Sequence, residues 1–309
     1  QSNTTTDCDY LVYSNEMRRD VKNLTIIGAP GAKVDAIKTI AGYIEGSTGY
    51  VVNIENLVIN SVEFTDKHTN APHSYASPIF FDLSYINVNG LTVKNCKLIG
   101  NNDKMNFVYF YGSGKPNNST FETAAKNVII ENNTVDGIAR LCELRQTENV
   151  TITGNTIKNT SLHGMLLTVD KGTYSGDVTI TGNTADGIRN RFVRMAGAGN
   201  AEVEIKDNYI YNYQGADADY IKVTDGSNVT IENNVLMVAS AVDLQSRVNS
   251  AAKGLNEFGF ANDITGNVTI PQNDKINIVI NGLGKKYDGT ITVDGNSRSG
   301  GSETPVIKN

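Results

Sequence analysis

The stretch NVTITGNTI, Asn149 to Ile157, recurs with variations along the chain: NVIIENNTV from Asn127, DVTITGNTA from Asp177, EVEIKDNYI from Glu202 and NVTIENNVL from Asn228. Weaker copies read NLTIIGAPG from Asn23, NLVINSVEF from Asn56 and GLTVKNCKL from Gly90, and successive copies start 22 to 37 residues apart. A self-similar period of this size means stacked units in a quasi-one-dimensional architecture. Within the phrase, Val150 and Ile152 alternate with Thr151 and Thr153, which predicts a strand with one buried and one wet face. Gly154 and Asn155 tolerate left-handed backbone and predict a turn, after which Ile157 returns inward. Asn133, Asn155, Asn183, Asn208 and Asn234 hold the same place in five copies. Stacked about 4.8 Å apart, they predict a ladder in which each side-chain amide bonds the next.

After each turn comes a connection of variable length and a second apolar run. These runs are IFFDL from Ile79, FVYFY from Phe107, LCELR from Leu141, MLLTV from Met165, FVRMA from Phe192, YIKVT from Tyr220 and VDLQS from Val242. Two or three short strands per repeat, with corners at small polar residues, predict an all-β, single-stranded parallel β-helix of roughly eight to ten coils with a terminal cap. A leucine-rich repeat needs a helical segment per repeat, and a sandwich needs hairpins; neither pattern is present.

Coils of the form NVTITGNTI resemble the right-handed parallel β-helix superfamily, the pectin-lyase-like fold, over roughly residues 23 to 234. The resemblance implies fold far more than activity, because that superfamily includes polysaccharide lyases, glycoside hydrolases, phage tailspikes and non-enzymatic surface proteins. The polygalacturonase-like hydrolases carry NTD, DD, GHG and RxK elements. This chain has no DD and no RxK, and its nearest GHG is Leu162-His163-Gly164.

Three segments are expected: an N-terminal lead or cap strand over 1–22, the β-helix over 23–247, and C-terminal coils, cap and loose tail over 248–309. The Ala-rich start of VNSAAKGLNEFGFANDI, from Val248, predicts a short capping helix, and the Asp288-Gly289 step predicts a hairpin. The opening QSNTTTDCDY lacks the apolar core of a signal peptide, so the chain reads as a mature form or as part of a larger surface protein. No stretch approaches 18 apolar residues, so no membrane span is expected. The sequons, such as those at Asn149 and Asn228, read as repeat grammar rather than glycosylation sites.

The net charge of −6 argues against nucleic acid as a partner. Three cysteines form no complete disulfide framework; Cys96 and Cys142 read as buried core thiols, and no metal site is expected. Alternation in the second runs points Glu143, Arg145, Arg194 and Lys222 outward, where they form the candidate catalytic group. Asp82, Thr168, Tyr213, Asp225 and, in the loop from Asp66 to Pro78, His73 are the candidate substrate-binding residues. Tyr209, Tyr211 and Tyr213 share one parity and read as a sugar platform. A lyase acting on a uronate polymer would use Lys222 or Arg194 as base, with Glu143 helping to hold a calcium ion. The missing hydrolase elements favour the other reading: an extracellular, non-catalytic module that binds glycan or adheres, with no cofactor.

Overall fold

The computed structural model describes residues 9–14, 20–41, 52–66, 77–83, 86–112, 125–168, 176–215, 219–251, 254–271, 276–294 and 306–308. His68, His73 and Tyr75 lie outside them, as does most of both long loops named from the sequence. The protein is an all-β parallel solenoid. Among the described residues every strand pairing is parallel; most strands pile into three stacks, and two two-stranded sheets lie in the C-terminal segment.

The first stack is the repeat phrase itself. It rises from Val21–Lys22 and Thr25–Ile27 through Val52–Asn60, Ile86–Lys94, Ala125–Glu131, Thr147–Thr153, Val178–Thr181 and Gly199–Lys206 to Gly226–Glu232. Val128, Val150, Val178 and Val203 lie in one inward column, with Ile130, Ile152, Ile180 and Ile205 in the next. A one-residue slip would turn both columns to water, so the apolar alternation sets the register.

The second stack follows the Asn turn. Among the described residues eleven strands lie one above another along it, from Lys33–Val34 to Val306–Lys308. The third stack holds the second apolar runs, including Ile79–Asp82, Met165–Thr168, Val193–Met195 and Ile221–Val223. In two coils the chain passes from the second stack to the third without a break, as Lys97–Tyr111 and Thr134–Arg145, which joins both stacks into one 17-stranded sheet.

The Asn ladder closes the corner between the first and second stacks. Nδ2 of Asn133, Asn155, Asn183 and Asn208 donates to Oδ1 of the ladder residue in the next coil at 3.0, 2.9, 3.0 and 2.7 Å. Each Oδ1 also accepts a backbone N–H from the coil before. The residue ahead of each ladder Asn has positive φ: Asn132 55°, Gly154 64°, Gly182 64°, Asp207 56° and Asn233 53°. These are residue types that enter the left-handed region most readily, and the bend they make aims the ladder side chain inward.

The C-terminal third departs from the sequence reading in two places. VDLQS is not a strand; it belongs to the helix Ala241–Asn249, which begins before the Ala-rich segment expected to be helical. Ser240 caps it by accepting the N–H of Asp243, and Ala241, Leu244 and Val248 bury one helical face. The Asp288-Gly289 step makes no hairpin. Tyr287–Asp288 and Ile291–Asp294 pair in parallel with Ile264–Thr265 and Val268–Pro271 of the coil below, so the step is one more coil corner. A Cβ on Gly289 would meet the Gly266 carbonyl oxygen at 2.0 Å, so the close approach of two coils excludes any side chain there. The second stack therefore continues through the C-terminal segment. Among the described residues the last strand of the third stack is Ile221–Val223 and the last of the first stack is Gly226–Glu232.

Candidate functional site

The pleat of the third stack brings three of the four candidate catalytic residues, Glu143, Arg194 and Lys222, into one column. Phe80, Tyr109, Glu143, Leu166, Arg194 and Lys222 occupy successive rungs of it. A second column two residues on contains Asp82, Tyr111, Arg145 and Thr168. The outward alternation read from the sequence therefore places Glu143, Arg145, Arg194 and Lys222 on a shared face, but their surroundings divide them.

Glu143 is 6 % exposed, and its carboxylate is fully engaged. Oε1 accepts from Nε and Nη2 of Arg145 at 3.2 and 2.9 Å. Oε2 accepts from Nη1 of Arg140 at 3.0 Å and from Nδ2 of Asn106 at 3.4 Å. Burying a carboxylate is costly unless it is paired and hydrogen-bonded, and this one is both. Both oxygens that Glu143 would offer to a calcium ion already face cations. Among the described residues no three His, Cys, Asp or Glu side chains gather into a metal-holding group. Burial pushes the Tyr109 phenol up to about 12, with the neighbouring Glu143 charge adding to the rise. Burial also lowers the pKa of Arg140, whose Nε has no hydrogen-bond partner. Arg145 extends outward over the Tyr111 ring, 5.7 Å from its centroid.

Arg194 and Lys222 differ from that cluster. They are exposed, face each other in register, and make no ion pair among the described residues. They are two like charges one rung apart.

Two other expectations change. Tyr213 is 3 % exposed and belongs to the core, so it cannot stand under a sugar. Its ring packs edge-on to Tyr220 at 6.1 Å and beneath the Arg247 guanidinium at 5.4 Å. The chain turns a corner after Tyr211, which breaks the parity read from the sequence; Tyr209 stays exposed at 38 %. Asp225, with φ 60°, forms the corner from the third stack to the first and lies off the flat face. Its carbonyl accepts from Gly199 N–H at 2.6 Å.

A surface the sequence did not point to is concave. At the corner between the second and third stacks lies an open cleft of about 450 Å³. Asn101, Asp103, Ile138, Asn159, Thr160, Ser161, Arg189 and Gln214 line it, with Gly137 and Gly187 at the turns. One wall is an excursion of the strand Lys97–Tyr111, whose register slips between Ile99 and Asn102 and again before Asn106. The Ser161 hydroxyl pins that wall by donating to the Asp103 carbonyl at 2.7 Å. In the lining, Asn159 Nδ2 donates to the Asp136 carboxylate at 2.7 Å. No single residue type marks these positions, so no local signal in the sequence points to the cleft.

No protein-family model, curated protein or solved structure matches the chain.

Proposed function

We propose that this protein is an extracellular, non-catalytic surface module that binds glycan, akin to the non-enzymatic members of the pectin-lyase-like superfamily. The observation that carries the reading is the corner cleft: an elongated, open, polar surface rich in side-chain amides and hydroxyls. Such groups donate and accept in several directions, which suits a ligand presenting hydroxyls along its length. An apolar ligand would gain little here, since it would strip water from polar groups without replacing the bonds.

The lyase alternative keeps two exposed cations, Arg194 and Lys222, as candidate base and charge partner. It loses Glu143, whose oxygens are held by Arg140, Arg145 and Asn106. Incubating the protein with uronate polymers and following the absorbance of unsaturated products, alongside a glycan array, decides between the two. Binding without product supports the module; sustained product formation replaces it with the lyase.

A further inference from the structure

We infer that the ligand of the corner cleft is an uncharged linear glycan rather than a uronate or sulfated one. This rests on the glycan-binding reading and narrows it to a substrate class.

The first reason is shape. Asn101 and Asp103, then Ile138, then Asn159 to Ser161, then Arg189, then Gln214 come from five successive coils of the solenoid. At about 4.8 Å per coil, four steps separate Asn101 from Gln214 by roughly 19 Å along the axis. A ligand that touches all of them must be elongated and must lie parallel to the axis. The Asp103 wall, held by Ser161 across two coils, confines it from one side.

The second reason is charge. Asp103 and Arg189 are the ionisable groups in the lining, one of each sign, so the formal sum is −1 + 1 = 0, and Asp136, bonded to the lining Asn159, adds a further negative charge beside it. A polymer with a carboxylate or sulfate on each sugar would bring several negative charges to one cation and one anion. The remaining charges would lose water without a partner, which is the costly case. Amide and hydroxyl groups impose no such cost on neutral sugar hydroxyls. The chain does carry a surface suited to an anion, but it is elsewhere: Arg194 and Lys222, side by side and exposed on the third stack. The two surfaces thus predict opposite responses to ligand charge.

The experiment is calorimetric titration of the full chain with neutral hexasaccharides (cellohexaose, xylohexaose, mannohexaose, maltohexaose and laminarihexaose) and with hexagalacturonate. Two double variants accompany it: Arg189→Ala with Gln214→Ala in the cleft, and Arg194→Ala with Lys222→Ala on the third stack. All four side chains are exposed, so thermal unfolding checks that each variant keeps the parent fold. The expected result is binding of at least one neutral hexasaccharide, weakened tenfold or more by the cleft pair and less than twofold by the third-stack pair. Three results overturn the inference while leaving glycan binding intact: neutral binding indifferent to the cleft pair, hexagalacturonate binding that the cleft pair abolishes, or hexagalacturonate as the sole ligand. If no hexasaccharide of either kind binds, the inference and the glycan-binding reading fall together.

Discussion

The backbone N–H of Cys96 donates to Oδ1 of Asn133 at 2.9 Å, so a cysteine stands as the first rung of the Asn ladder. Its thiol reaches the carbonyls of Ile59 at 3.6 Å and Lys94 at 3.2 Å. Those are the two positions that the amide of Asn155 takes with Ile130 and Thr153 two coils on. Cys96 therefore does an asparagine's work with a weaker donor and no acceptor of comparable strength. Cys96→Asn is expected to extend the ladder by a rung and to stabilise by about 1 kcal/mol, the net worth of a hydrogen bond. Equilibrium denaturation measures it, and a loss of stability would mean the corner cannot house the larger side chain.

In mid-ladder the sign reverses. Asn183 accepts from the N–H and the amide of Asn155 and donates to Asn208 and to the Ile152 carbonyl. Asn183→Ala leaves the buried backbone N–H of Asn155 without its acceptor and the Ile152 carbonyl without its side-chain donor, and should cost roughly 3 kcal/mol, the sum of two or more such penalties. A cost below 1 kcal/mol would show that water or neighbouring coils replace the lost bonds.

Both described thiols titrate late. Burial raises Cys96 from 9.0 to about 11 and Cys142 from 9.0 to about 12. A folded pKa above the unfolded one means the unfolded chain deprotonates first. This contribution to stability is whole below pH 9 and is lost as pH climbs toward 11 and 12. In a Cys8→Ala background, native protein at pH 8 should react very slowly with a thiol reagent, and denatured protein at once. Rapid labelling of the native protein at pH 8 would contradict the burial of these groups.

Breaking the Glu143 cluster should damage the fold. Glu143→Gln removes the carboxylate that two guanidinium groups share and leaves Arg140, itself mostly buried, without a counter-charge. The expected loss is about 3 kcal/mol, at the low end for an orphaned buried partner. Urea unfolding of the variant measures it; a change within 0.5 kcal/mol would place the cluster in water.

Arg145 and Arg194 sit two rungs apart on the third stack and should respond differently to truncation. Arg145→Ala removes a two-nitrogen contact to Glu143 and should lower the unfolding temperature measurably. Arg194→Ala relieves a like-charge contact with Lys222 and should leave it unchanged or slightly raised. Matching losses in the two variants would mean that Arg194 has a partner of its own.

The sequence by itself determined the solenoid. The period-two alternation of phrases such as NVTIT can bury only one face, and the recurrence of the phrase lets each coil stack on the next around that face. Asn at one recurring position satisfies the polar groups of a sharp corner, and the ladder could be named residue by residue. The outward parity of Glu143, Arg145, Arg194 and Lys222 was also legible, because parity is a property of a single strand. What parity cannot carry is what lies beside a strand. That Glu143 is buried between Arg140 and Arg145 depends on Asn106 and Tyr109 from the coil below. That Tyr213 is core depends on a corner after Tyr211 and on Arg247, 34 residues away in sequence. The cleft depends on a register slip in one coil and a hydroxyl contact across 58 residues. Local pattern decides which way a side chain points because steric alternation acts within a few residues. Only the stacking of distant coils decides whether it meets water, a counter-charge or a groove.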